Sequence, residues 1–304
     1  MNEGIVTQMI ILLLIVAVGF IANKAGVFDM VLERKLSKLV INLTAPMLIL
    51  SSVMGETLPD KGLILPLIVV GVMTYVVLWI VAAYLPRVFV RNRAKRGMYS
   101  FMLMFANVGF MGYPVVASLF GHEAVFYAAL LNMSNTFFIF MAGKPMVVAD
   151  SKRPAFHVDL FLQPGMIACY AAIAIVLLQL NNIPAVITRP VTLIGQITVP
   201  GALLIIGSSM ADMQSKKLLG SIPIYIMSAL RLLGIPIGLF FLLRLCGIDD
   251  FLNQINTILI GMPVATFGTM FCLEADRDPT TMVQGTLITT MLSVVTIPIL
   301  TLIF

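Results

Sequence analysis

The chain has 304 residues, 60% of them hydrophobic and only 11% charged, with a mean hydropathy of +1.04. No water-soluble domain keeps that much apolar surface away from water, so lipid must be the solvent for most of it. The apolar runs are continuous rather than alternating, which excludes a β-barrel, and the net charge of +5 sits in short loops between them, where it reads as membrane orientation rather than as a nucleic-acid surface.

A helical span needs about 20 apolar residues, and breaks at charged or turn-forming residues divide the chain into ten such runs. They are predicted at 5–24, 36–54, 62–85, 98–119 and 123–147, then at 164–181, 187–211, 217–244, 252–275 and 280–303. The first run follows Glu3 and has no small-residue cleavage site behind it, so it is expected to be a retained span. The last is still apolar at Phe304, so no tail is expected beyond it. Cys169, Cys246 and Cys272 lie in or beside apolar runs without paired spacing; they suggest inert thiols, neither a disulfide framework nor a metal site.

The basic residues fix the orientation. Fifteen Lys and Arg fall in the odd-numbered loops, at Lys24 to Lys38, Arg87 to Arg96, Lys144 to Arg153, Lys216 with Lys217, and Arg277. The even loops hold Lys61, Arg189 and Arg244. The odd loops are therefore expected in the cytoplasm and both termini outside the inner membrane.

Two short patterns recur half a chain apart. Asn42-x-Thr44-x-Pro46 in span 2 matches Gln196-x-Thr198-x-Pro200 in span 7, with Ser51-Ser52 and Ser208-Ser209 following. Gly112-Tyr113-Pro114-Val115 in span 4 matches Gly261-Met262-Pro263-Val264 in span 9. The members of each pair are five spans apart, so the halves 1–150 and 151–304 enter the membrane with opposite polarity, as an inverted repeat does.

Glycine next to proline interrupts a helix, and a broken helix in lipid is tolerated only where it faces protein or a water-filled cavity. Spans 4 and 9 are thus expected to break near Gly109 to Pro114 and near Pro263, facing inward. The half-helix N-termini there suit an anion. Asn107, Asn132, Asn135, Thr136, Thr266 and Thr269 lie at similar depth and form a candidate polar lining. Arg231 stands in the middle of span 8, where an arginine costs about 2.5 to 3.5 kcal/mol. No carboxylate falls at that depth, so an anionic substrate is the candidate counter-charge, against the alternative of bonding to helix carbonyls. Among acidic residues only Glu274, at the inner end of span 9, is a candidate for coupling to a proton or sodium ion.

Glu33-Arg34-Lys35-Leu36-Ser37-Lys38-Leu39-Val40-Ile41-Asn42-Leu43 with Pro46, Asn107-Val108-Gly109-Phe110-Met111-Gly112-Tyr113-Pro114, and Pro200 followed by Gly-Ser-Ser-Met resemble the auxin efflux carrier family, which includes bacterial malate and malonate permeases. The resemblance implies an all-α polytopic fold of ten helices, like sodium/proton antiporters and bile-acid symporters. In it spans 1, 2, 6 and 7 form a scaffold, spans 3–5 and 8–10 a moving transport domain, and helices 4 and 9 are broken and cross. It further implies organic-anion cargo, homodimers in plant members, substrate contacts at Asn107, Pro114 and Pro263, and a basic residue at the place of Arg231. The short stretch 148–163 between the halves departs from the long loop of the plant carriers and fits the bacterial branch.

The expected function is therefore secondary transport of small carboxylates by elevator-like alternating access, without a cofactor. The alternatives are export of an aromatic or indole carboxylate, an anion channel, or a membrane-embedded enzyme. His122 and His157 at loop edges, and the lack of paired intramembrane carboxylates, speak against an enzyme.

Overall fold

The computed structural model describes residues 2–55, 58–147, 162–180, 183–211, 221–274 and 277–303. Among these every regular element is helical, and the one β contact is an isolated bridge. Helix α1 (Asn2–Lys24) leads into α2 (Met30–Leu39) and α3 (Ala45–Ser51). The second predicted span starts earlier than its hydropathy indicates, because Asp29 caps α2 by accepting from the Leu32 N–H at 2.6 Å. That cap extends the helix outward through the charged Glu33 to Lys38 segment.

Next come α4 (Ile64–Tyr84), the single turn α5 (Pro86–Phe89), α6 (Arg96–Met104), α7 (Tyr113–Phe120), α8 (Ala124–Phe138) and α9 (Lys144–Val147). The second half holds α10 (Pro164–Leu177), α11 (Ala185–Gln196), α12 (Thr198–Ala211), α13 (Ile222–Ala229), α14 (Ile235–Leu245), α15 (Asp250–Ile260), α16 (Phe267–Glu274) and α17 (Thr280–Thr301). Among the described residues four continuous helical runs are long and apolar enough to cross a membrane: Lys61–Phe89, Ala124–Val147, Ile222–Leu245 and Thr280–Thr301. The seventh predicted span is interrupted between α11 and α12, since Pro200 has no N–H to offer the Gln196 carbonyl. Lys152, Arg153, His157, Lys216 and Lys217 lie outside the described residues.

Among the described residues four helices contain a widened turn, and one of these, in span 4, occupies Gly109 to Pro114, where a full break was expected; the chain is helical there and leaves the helix earlier, at Phe105. The π turns Val40–Thr44, Val108–Gly112, Ile139–Gly143 and Leu230–Gly234 each end two residues before a proline, at Pro46, Pro114, Pro145 and Pro236. A proline ring displaces the carbonyl four residues back and, having no N–H, donates no hydrogen bond to it. The helix adapts by admitting one more residue to the turn, so the N–H just ahead of the proline reaches five residues back: Ala45 to Val40, Lys144 to Ile139, Ile235 to Leu230.

The chain divides into two compact units that each draw on both halves of the sequence. The first comprises residues 1–68, 109–131 and 161–213. Within it α1 lies along α12, and α3 packs on α10 and α11. Glycine permits the closest approach, for a Cβ on Gly207 would stand 1.9 Å from the Val16 carbonyl oxygen and one on Gly19 2.3 Å from that of Leu204. Polar ties finish the ends of these helices. Ser208 donates to the Glu33 carboxylate and accepts from Asn23 Nδ2 at 3.0 Å. Ser51 donates to the Leu48 carbonyl at 2.9 Å and meets His122 Nε2 at 2.9 Å; with its own proton committed, Ser51 accepts and the imidazole donates.

The second unit comprises residues 69–108, 132–160 and 214–304. Its core is aromatic around α6. Phe101 and Phe105 are fully buried with ring centroids 4.9 Å apart, Phe271 meets Phe101 edge-on at 6.1 Å, and Tyr75 stacks on Phe105 at 6.2 Å and on Phe138 at 5.7 Å. Such rings supply large apolar area with fixed geometry. They surround the end of α6, where the chain leaves the helix.

Candidate functional site

Helix α6 stops at Met104 because Phe105 turns to extended backbone, at φ −107° and ψ 123°. Helix α15 stops at Ile260, and Gly261, Met262 and the N–H-less Pro263 follow it into a second non-helical stretch. The two stretches pair. Asn107 N–H donates to the Pro263 carbonyl at 2.8 Å and Ala265 N–H to the Phe105 carbonyl at 3.0 Å, which makes an antiparallel bridge between Ala106 and Val264. Val264 N–H takes the Thr289 hydroxyl of α17 at 3.1 Å. Backbone groups that a broken helix would strand in an apolar setting are thus satisfied by the other break and by one side chain.

Around this bridge Ala106, Met262, Pro263, Val264 and Ala265 are buried, Asn107 is half-buried and Thr266 is exposed. Polarity therefore surfaces at Asn107 and at Thr266, which precedes the first residue of α16. Arg231, in the π turn Leu230–Gly234, is 0% exposed. Its Nη1 donates to the Leu103 carbonyl at 3.4 Å, while Nε and Nη2 have no hydrogen-bond partner among the described residues. The guanidinium therefore meets a helix carbonyl, the second of the two contacts its position allowed, and offers no surface to a solute in this conformation.

The remaining predicted residues divide by unit. In the second unit Asn135, 7% exposed, donates to Asn132 Oδ1 at 2.9 Å; its own Oδ1 is buried without a partner among the described residues, and Thr136 and Thr269 are half-buried. Glu274 is the last residue of α16, and its side chain lies outside those described. In the first unit Gly109 is exposed, with open space where a Cβ would stand, and Tyr113 and Pro114 are buried. The repeat positions there match in environment at two of three places: Asn42 and Gln196 are both exposed, and Thr44 and Thr198 are both fully buried. They differ at the third, with Pro46 buried and Pro200 exposed.

Three side chains that the sequence reading passed over belong to the same region of the second unit. Thr289 holds Val264; Asn253 donates to the Phe240 carbonyl at 2.9 Å, and Asn256 to Thr74 Oγ1 at 3.2 Å. The amides at i and i+3 on α15 were a readable signal. Thr289 is one of several threonines in its span and carries none.

The profile of the membrane transport protein family matches residues 4–153 and 153–301. The chain belongs to this family. It is the auxin efflux carrier family whose motifs occupy spans 2 and 4. An uncharacterized transporter of Methanocaldococcus jannaschii is similar, with 25% identity over 275 residues, covering 87% of this chain and 89% of that one. The paired breaks are accordingly those of a membrane transporter, and the family speaks for transport rather than for an enzyme.

Proposed function

We propose that this transporter carries small organic anions of the malate and malonate type by elevator-like alternating access, with the paired breaks of spans 4 and 9 as its substrate site. The observation that carries this reading is the Asn107–Pro263 hydrogen bond between the breaks, with Asn107 half-buried and Thr266 exposed beside it. A helix does not use the N–H groups of its own first turn, and its N-terminus carries a positive partial charge. At α16 two of those groups, the N–H of Gly268 and of Thr269, turn back to the Ala265 and Thr266 carbonyls at 3.4 and 3.1 Å, so an anionic group next to Thr266 meets chiefly the positive end of the helix dipole. The side-chain amide of Asn107, whose backbone N–H is held by Pro263, adds a donor for a second carboxylate oxygen.

The compact unit formed from spans 3 and 8–10 with parts of spans 4 and 5 supports assigning those spans to a transport domain. Spans 1, 2, 6 and 7, grouped in the other unit, support the scaffold assignment. The distribution of basic residues supports placing both termini outside the inner membrane, and the family resemblance supports a homodimer.

Counterflow tests the reading. Vesicles containing the purified protein and preloaded with unlabelled malonate are expected to take up labelled malonate several-fold faster than empty ones, a gain that Asn107→Ala and Thr266→Ala reduce at least tenfold. Uptake indifferent to preloading would mean a pore. Acceleration by indole-3-acetate instead of malonate or malate would move the cargo to aromatic carboxylates.

A further inference from the structure

We propose that Arg231 is a positioning residue. Its buried charge holds the carboxyl end of α6 at the break, and transport needs that charge rather than contact between Arg231 and the solute. The inference rests on the reading of the paired breaks as the substrate site and assigns the cation beside them a different task from ligand binding.

The argument starts from what α6 lacks. A helix ends with four carbonyls that have no partner within it, and because the chain turns extended at Phe105, only the Phe101 carbonyl is taken by the next N–H, that of Phe105 at 3.0 Å. The Leu103 carbonyl receives Arg231 Nη1 instead. A cation at a helix C-terminus also meets the negative end of its dipole, within the last turn where the effect is felt.

Burial separates this task from substrate binding. Arg231 is the largest fully buried side chain of the described residues. Among the described residues no carboxylate partners it, and the ion pair described in that unit, Arg244 with Asp250 at 3.8 Å, has both side chains more than half exposed. The position of Arg231 follows from the sequence as well. Pro236 widens the turn Leu230–Gly234, and Arg231 is the second residue of that widened turn. A wide turn, a buried charge and an orphan carbonyl at the edge of a break form one device.

The test uses Arg231→Lys and Arg231→Met in the full chain. A buried ammonium gives up its proton far more readily than a guanidinium. The Arg231→Lys rate of labelled malonate uptake, taken as a ratio to wild type, is therefore expected to approach one at pH 6 and to fall at least tenfold by pH 8.5. In Arg231→Met, which keeps the bulk without the charge, maximal rate should fall at least tenfold with KM within twofold. Amide hydrogen exchange at 103–108 and 261–266 should speed up at least tenfold, with α1 and α12 of the first unit unchanged. A pH-independent ratio for Arg231→Lys would overturn the proposal by showing that transport does not need the charge, and a raised KM at unchanged maximal rate would overturn it in favour of direct binding. Unchanged exchange in Arg231→Met would overturn it outright. If wild type moves no malonate, the substrate reading fails, and the exchange comparison still decides the role of Arg231.

Discussion

The amide N–H of Asn107 donates to the carbonyl of Pro263 at 2.8 Å, so two breaks more than 150 residues apart in sequence are held by backbone. Thr289 completes the arrangement, accepting from Val264 N–H at 3.1 Å while donating to the Gly285 carbonyl at 2.7 Å. Thr289→Val keeps the shape and leaves that N–H buried without an acceptor, a loss of about 1 to 3 kcal/mol. Thr289→Ser keeps the acceptor. Thermal unfolding in detergent should show the valine variant clearly less stable and the serine variant near wild type; equal melting of all three would show that the bond carries no weight.

Helix packing in lipid relies on small residues because apolar side chains gain little by leaving acyl chains. At Gly207 a methyl group would overlap the Val16 carbonyl oxygen at 1.9 Å, and the obstacle is backbone. Gly207→Ala is expected to force α1 and α12 apart at a cost at or above the usual 1 to 3 kcal/mol for overpacking, seen as loss of monodisperse protein. Gly238→Ala meets nothing within 4 Å and lies inside α14, where alanine favours the helix by about 1 kcal/mol. It should express at least as well as wild type.

If the halves are inverted, Lys95 and Lys217 share the cytoplasmic side although they belong to different halves. Cysteines placed singly at the two positions, in a chain whose native cysteines are replaced, should both resist a membrane-impermeant maleimide added outside intact cells. Labelling of just one of them would end the inverted-repeat reading.

The helical runs were legible because hydropathy alone marks a lipid-facing segment, and an interruption of span 4 because glycine and proline fall together in it, although the helix breaks earlier, at Phe105 to Asn107, while Gly109 to Pro114 lie in the π turn Val108–Gly112 and the start of α7. Three things were not. The cap that starts α2 at Asp29 lies in a polar stretch that hydropathy assigns to a loop. The π turns before Pro46, Pro145 and Pro236 leave the composition of their spans unchanged, and only the absent proline N–H announces them. The partner of Arg231 is a backbone carbonyl 128 residues away, and backbone has no sequence signature. The search for a carboxylate could therefore find only an absence, which pointed to the solute.

His122 supplies a pH dependence whose sign follows from its surroundings. Burial holds its imidazole below the ordinary value, with Glu123 opposing in part. Between the folded and the ordinary value, near 6.5, the unfolded chain therefore binds more protons than the folded one, and stability rises with pH across that interval. Stability due to this group is full above about pH 7 and is lost as pH falls through the ordinary value toward the folded one. His122→Gln retains an N–H donor for Ser51 and removes the titration. The difference in melting temperature between wild type and His122→Gln should thus be flat above pH 7 and shift against wild type on acidification below about 6.5. A difference constant from pH 5 to 8 would show that the imidazole titrates freely and that its tie to Ser51 has no share in the stability of that end of the protein.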